Sequence, residues 1–132
     1  MLEHKHILIR ATVKRPPMQI DTIKAWVRNL VDELGMKPLG ETVAVYVDKK
    51  GNRGLTCIQA IETSHIALHS WDEDSPSVIQ LDVYTCSKLN KETVFKALDV
   101  FDPIEINYLT LDREKYLDIK NKDEINNDNR LW

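Results

Sequence analysis

Cysteine is scarce in this chain: there are two in 132 residues, Cys57 and Cys86. That excludes a disulfide-framed scaffold and leads us to expect free thiols in a reducing compartment. Long apolar runs are missing too. None approaches the roughly 20 residues needed to span a bilayer. The opening MLEHKHILIR lacks the ordered segments of a secretory leader, so a cytoplasmic protein is expected. Nor is there a cationic stripe. Lys and Arg are scattered and the formal net charge is -3, so neither nucleic acid nor an anionic membrane is an expected partner. The chain has no internal repeat, no zinc-type cysteine spacing and no G-x-S-x-G elbow. What remains is an ordinary globular composition, 42% hydrophobic and 30% charged, long enough for one domain with its own core.

Within that composition the apolar residues are strongly patterned. In KHILIRATV, Ile7, Ile9, Ala11 and Val13 alternate with Leu8, Arg10 and Thr12, which predicts a strand with one buried face. Pro16 and Pro17 stop it. Ile20, Ile23, Val27, Leu30, Val31 and Leu34 then share one helical face, with Asp21 as the expected cap and Gly35 closing the helix. ETVAVYVD, with the apolar set Val43, Val45 and Val47, and GLTCIQAIE form a predicted hairpin around KKGN. HIALHS and SVIQLDVYTC continue as strands, Asn90 opens a second helix, and IEINYLTL closes as a strand. The order β, α, several β, α, β implies an α+β fold: a two-layer sandwich, mainly antiparallel, with two helices on one face. It is expected to occupy residues 1–116. Residues 117–132 read as a polar, mobile tail.

The segment IETSHIALHSW, Ile61 to Trp71, holds two of the four histidines beside a serine. His65 and His69 are four apart, which would align them as metal ligands on a helix. In a strand the same spacing leaves them about 13 Å apart, with no third ligand nearby, so no metal is expected. A Ser-His-Asp hydrolase would need Asp82 to orient a histidine. A structural histidine in a half-polar sheet is the plainest alternative. Ser64 and His69 differ by an odd number of positions, so an unbroken strand puts them on opposite faces, and bringing them together needs a break near Thr63-Ser64.

ETSHIALHSW followed by LDVYTC resembles the prokaryotic S-adenosylmethionine decarboxylase proenzymes. Their pattern is roughly G-V-S-G, then E-S-H-x-x-x-H-T-W-P-E, then V-D-x-F-T-C. The matching pieces are Gly54-Leu55-Thr56, Thr63-Ser64-His65, His69-Ser70-Trp71 with Glu73, and Leu81 to Cys86. The chain departs from the pattern at Thr63 for a glutamate, Thr56 for a serine and Cys57 for a glycine, and its WDEDSPS loop is longer. The resemblance covers the chain up to about Tyr116.

It implies an enzyme that makes its own cofactor. Ser64 would attack the carbonyl of Thr63, and elimination would split the chain and leave a pyruvoyl group at position 64. That ketone is the electron sink for loss of CO₂. By the same resemblance His69 moves protons during processing, Thr56 assists it with its hydroxyl, and Cys86 reprotonates the substrate carbon. Glu62, Tyr46, Trp71 and Tyr84 are the substrate-binding candidates, the aromatics for stacking on adenine. The implied substrate is S-adenosylmethionine, the implied product an aminopropyl donor for spermidine synthesis, and the implied assembly a homodimer. Two alternatives share the fold: a pyruvoyl decarboxylase of ornithine or arginine, and a non-catalytic ligand-binding homologue.

Overall fold

The fold was read from a computed structural model, which describes residues 3–62 and 64–126. Alternating apolar residues build strands β1 (Lys5–Val13), β2 (Pro38–Val47), β3 (Gly54–Ile61), β4 (Ser64–Trp71), β5 (Ser77–Thr85), β6 (Pro103–Asp112) and β7 (Asp118–Asn126). Two helices interrupt them, α1 (Ile20–Glu33) and α2 (Lys91–Leu98), the second running into a 3-10 turn at Asp99–Phe101. All pairings are antiparallel, in the order β2-β3-β4-β5-β1-β6-β7.

One face of the sheet carries the core. Ile7, Ile9, Ala11 and Val13 of β1, Ile66 and Leu68 of β4, and Ile79, Leu81 and Val83 of β5 are buried there. Ile23, Val27, Leu30 and Val31 of α1 and Val94, Phe95 and Leu98 of α2 complete the same cluster. The expected two-layer α+β sandwich is therefore the observed one.

The helix ends follow local chemistry. Gly35 takes φ +72° just past α1, where Gly35 N–H donates to Asp32 O and Met36 N–H to Val31 O. These two bonds satisfy the last carbonyls, and the positive φ suits a residue without Cβ. At the start of α1, Asp21 is not the cap. Gln19 holds that position without a side-chain bond, and Asp21 lies in the first turn, where its charge suits the helix dipole. Asn90 does cap α2, its side chain accepting from the N–H groups of Glu92 and Thr93.

Two expectations need correction. In β2 the valines turn away from the helices: Val43 and Val45 are 57% and 50% exposed, while Thr42 is buried. Thr42 donates to the buried Gln59 carbonyl and accepts from Arg28 Nε, so a polar knot holds the β2 core position. The tail also differs. Asp118–Asn126 forms β7, paired along β6 with Ile125 opposite Ile106. Its backbone ladder, rather than apolar burial, makes it a strand, which a composition argument overlooks. Residues 127–132 lie outside the described residues.

Candidate active site

β3 ends at Ile61 and β4 begins at Ser64, and these two residues are register partners. Thr63 lies outside the described residues, and the structure describes its neighbours Glu62 and Ser64. Ser64 Oγ accepts from the Cys86 backbone N–H at 3.1 Å and donates to the Glu62 carbonyl at 3.2 Å. The Cys86 thiol donates to that same carbonyl at 3.4 Å. The end of β5 thus brings Cys86 against the start of β4, and one carbonyl gathers the serine hydroxyl and the thiol.

His69 is not part of this group. β4 runs without interruption from Ser64 to Trp71, and its burial alternates, with Ile66, Leu68 and Ser70 facing the helices. Ser64 and His69 therefore stay on opposite faces and about 17 Å apart along the strand. His69 sits opposite Thr56 of β3, with Nδ1 3.1 Å from Thr56 Oγ1, on the face of the sheet bare of helices. Thr56 and His69 are paired across the two strands, and the expected meeting of Ser64 with His69 is absent within one chain.

The aromatic candidates divide in the same way. Tyr84 is the register partner of His65, next to Ser64. Tyr46 pairs with Leu55 and Trp71 with Val78, at the far ends of β3 and β4. Tyr46 hydroxyl donates to Asp72, and this bond, after burial, raises its pKa. Trp71 Nε1 donates to Asn52. Glu62 lies in the turn beside Ser64. A cavity of about 780 Å³ opens on the bare face, lined by His69, Asp82, Gln80, Arg10 and Asn107, among others, but not by Ser64 or Cys86.

Sequence reasoning missed His6 and Arg113. His6 of β1 lies across from Tyr84, which lies across from His65 of β4. Asp82, two residues along β5, is diagonal to both imidazoles and hydrogen-bonded to each, to His6 Nε2 and, at 3.3 Å, to His65 Nε2. Arg113 stacks on the Tyr84 ring at 4.1 Å and donates to His6 Nδ1 at 3.1 Å. Burial pushes the Asp82 carboxyl up. The hydrogen bonds and charges of His6 and His65 more than offset this, so it is held below the usual carboxylate range. Only the outward alternation of β1 hinted at His6, and finding its partners required the β1-β5 pairing.

His6, His65 and Asp82 have ligand atoms within 4.8 Å of one another, a donor set that suits a metal in principle. The guanidinium argues for a hydrogen-bonded network instead. Arginine has no acceptor, so His6 Nδ1 carries the lone pair and Nε2–H faces Asp82. An ion on Nε2 would turn an Nδ1–H against Arg113.

Known proteins can now be set beside this geometry. Residues 14–114 match the family described as S-adenosylmethionine decarboxylase. The chain belongs to that family. The S-adenosylmethionine decarboxylase proenzyme of Archaeoglobus fulgidus is 33% identical over 89 residues, 66% of this chain and 78% of that protein. The crystal structure of the adenosylmethionine decarboxylase from Aquifex aeolicus superposes with a TM-score of 0.68 at 18% identity, covering 91% of this chain and 98% of that one. That likeness bears on the fold. No helix among the described residues is long and apolar enough to cross a membrane.

Proposed function

We propose that the chain is a self-processing, pyruvoyl-dependent decarboxylase of S-adenosylmethionine, acting as a homodimer in the cytoplasm and supplying the aminopropyl donor for spermidine synthesis. The observation that carries this reading is the contact of Ser64 with Cys86 at the start of β4. A serine at the first position of a strand, its Oγ held by a backbone N–H, is suited to a chain break on its N-terminal side. After the break, β4 keeps its ladder to β3 and β5.

The residues present fit a pyruvoyl group at position 64. The Cys86 N–H that now donates to Ser64 Oγ can donate to an oxygen on residue 64 after conversion, and the thiol lies on the same side. The group itself supplies an electron sink for loss of CO₂. Cys86 then holds the proton for the substrate carbon, and Glu62 and Tyr84 border the same strand end.

The processing histidine must come from elsewhere, since His69 and Ser64 of one chain are divided by the sheet. A second copy supplies it in this reading. The helix-free face carries Thr56 and His69 together with the exposed Val43, Val45 and Ile58, an apolar surface that suits burial against another copy.

The test is intact-mass measurement on the purified chain, followed by CO₂ release from S-adenosylmethionine, ornithine and arginine side by side. Fragments 1–63 and 64–132, with turnover of the sulfonium substrate, are expected. A single persistent mass without turnover would overturn the reading, and turnover of ornithine or arginine alone would reassign the substrate.

A further inference from the structure

β5 carries its apolar alternation through Ile79, Leu81 and Val83, and the next position on that face is Thr85, only 1% exposed. The same face takes the Ser64 side chain at the start of β4. Valine would fill the Thr85 position without a hydroxyl to desolvate. The hydroxyl is where this position departs from the core pattern, and it bonds twice to one residue. Ser87 N–H donates to Thr85 Oγ1 at 3.0 Å, and the Ser87 hydroxyl lies 3.0 Å from the same oxygen. A threonine oxygen that accepts from the N–H two residues on closes a tight turn. The residue enclosed by that turn is Cys86.

The turn accounts for how Cys86 leaves β5. Its carbonyl accepts from Glu3 N–H at 3.1 Å. Its N–H and thiol reach the other way, to Ser64 Oγ at 3.1 Å and the Glu62 carbonyl at 3.4 Å. Cys86 and Ser64 are half-buried and Ser87 is exposed, so Thr85 is the member of this corner that is withdrawn from water. Its hydrogen bonds to Ser87 therefore meet the least competition from solvent. We propose that Thr85 is a positioning residue for Cys86: its buried hydroxyl clamps Ser87 and so holds the Cys86 N–H and thiol toward residue 64. The catalytic consequence rests on the pyruvoyl reading above, whereas the clamp itself acts in the uncut chain as well. Its effect passes through Cys86, so it bears on proton delivery and not on substrate affinity.

Two substitutions separate the hydroxyl from the packing. Thr85→Val keeps the branched shape and removes the hydroxyl, and Thr85→Ser keeps the hydroxyl and removes a methyl group. In cut protein, Thr85→Val should lower kcat for decarboxylated product from S-adenosylmethionine by about tenfold, the weight of one hydrogen bond. KM should stay unchanged, and the melting temperature should hold or rise. Thr85→Ser should keep most of kcat while melting lower, because it leaves a cavity. A merely structural threonine predicts the opposite order, with kcat following the melting temperature, and that result overturns the proposal. The second measurement needs no cofactor. Iodoacetamide should alkylate Cys86 of the native chain about threefold faster in Thr85→Val, the loss of one weak hydrogen bond to the Glu62 carbonyl. Thr85→Ser should react at the ordinary rate. An unchanged alkylation rate in Thr85→Val, or an unchanged kcat in cut protein, overturns the proposal while leaving the decarboxylase reading intact. Where Thr85→Val stays uncut, the alkylation rate decides alone. If the unmodified chain never cuts, it is the decarboxylase reading that fails, and alkylation still tests the clamp.

Discussion

Thr56 Oγ1 and His69 Nδ1 face each other at 3.1 Å across β3 and β4, on the opposite side of the sheet from the Ser64 side chain. This pair is preassembled but cannot reach the serine of its own chain. A mixed assembly therefore distinguishes the two arrangements. Co-expressed Ser64→Ala and His69→Ala chains should give cleavage of the His69→Ala chain in roughly half of its copies, the random-pairing share in a symmetric dimer. His69→Ala alone should stay whole. Intact mass reads both, and an uncut mixture would mean that His69 does not act between copies.

Asp82 makes a distinct prediction in acid. Its folded pKa lies below the unfolded value of about 3.9, so its stabilising contribution is full above that pH and is lost as pH falls through the folded pKa. Asp82→Asn should cost about 1.5–3 kcal/mol near neutrality, the scale of a hydrogen bond to a charged partner. The gap between the two urea midpoints should narrow steadily below about pH 4. A gap independent of pH would show that the carboxylate charge is not what His6 and His65 hold.

Gly54 offers a backbone test. A Cβ there would lie 1.7 Å from the Ser70 carbonyl oxygen, a backbone atom that cannot swing aside. Gly54→Ala must push β3 and β4 apart at the Leu55–Ser70 hydrogen bond, 2.9 Å long. A loss above about 3 kcal/mol is expected, beyond what most point substitutions cost, and should appear as a lowered melting temperature or insoluble protein. Neighbouring Thr56→Ser should be nearly neutral in the same measurement.

The two thiols should behave very differently. Cys57 is fully buried in the core, and burial pushes its thiol up to about 11. Cys86 is only half-buried, at the strand end. Native protein should consume one equivalent of an alkylating reagent at Cys86, and denatured protein two. Fast native labelling of Cys57 would contradict the burial.

The sequence made the core legible because period-2 and period-3.6 patterns report burial directly: Ile7, Ile9, Val27 and Leu30 all lie where their spacing puts them. It misled at Val43 and Val45, because an apolar alternation does not say which face looks toward the helices. Ser64 and Cys86 were reachable through their motif, and the structure adds the hydrogen bond between them. The His6–Asp82–His65 network was out of reach, because β1 meets β5 only through long-range pairing, with Lys5 opposite Thr85. β7 was missed because its ladder needs little apolar content.

The strand order has one more consequence. A cut before Ser64 would put β1, β2 and β3 in one fragment and β4 to β7 in the other, yet β1 lies between β5 and β6. The two pieces would be interleaved like the fingers of clasped hands. Separating them would mean opening the β3-β4, β5-β1 and β1-β6 seams together, so the first strand of the chain would act as the bolt that keeps a severed molecule whole.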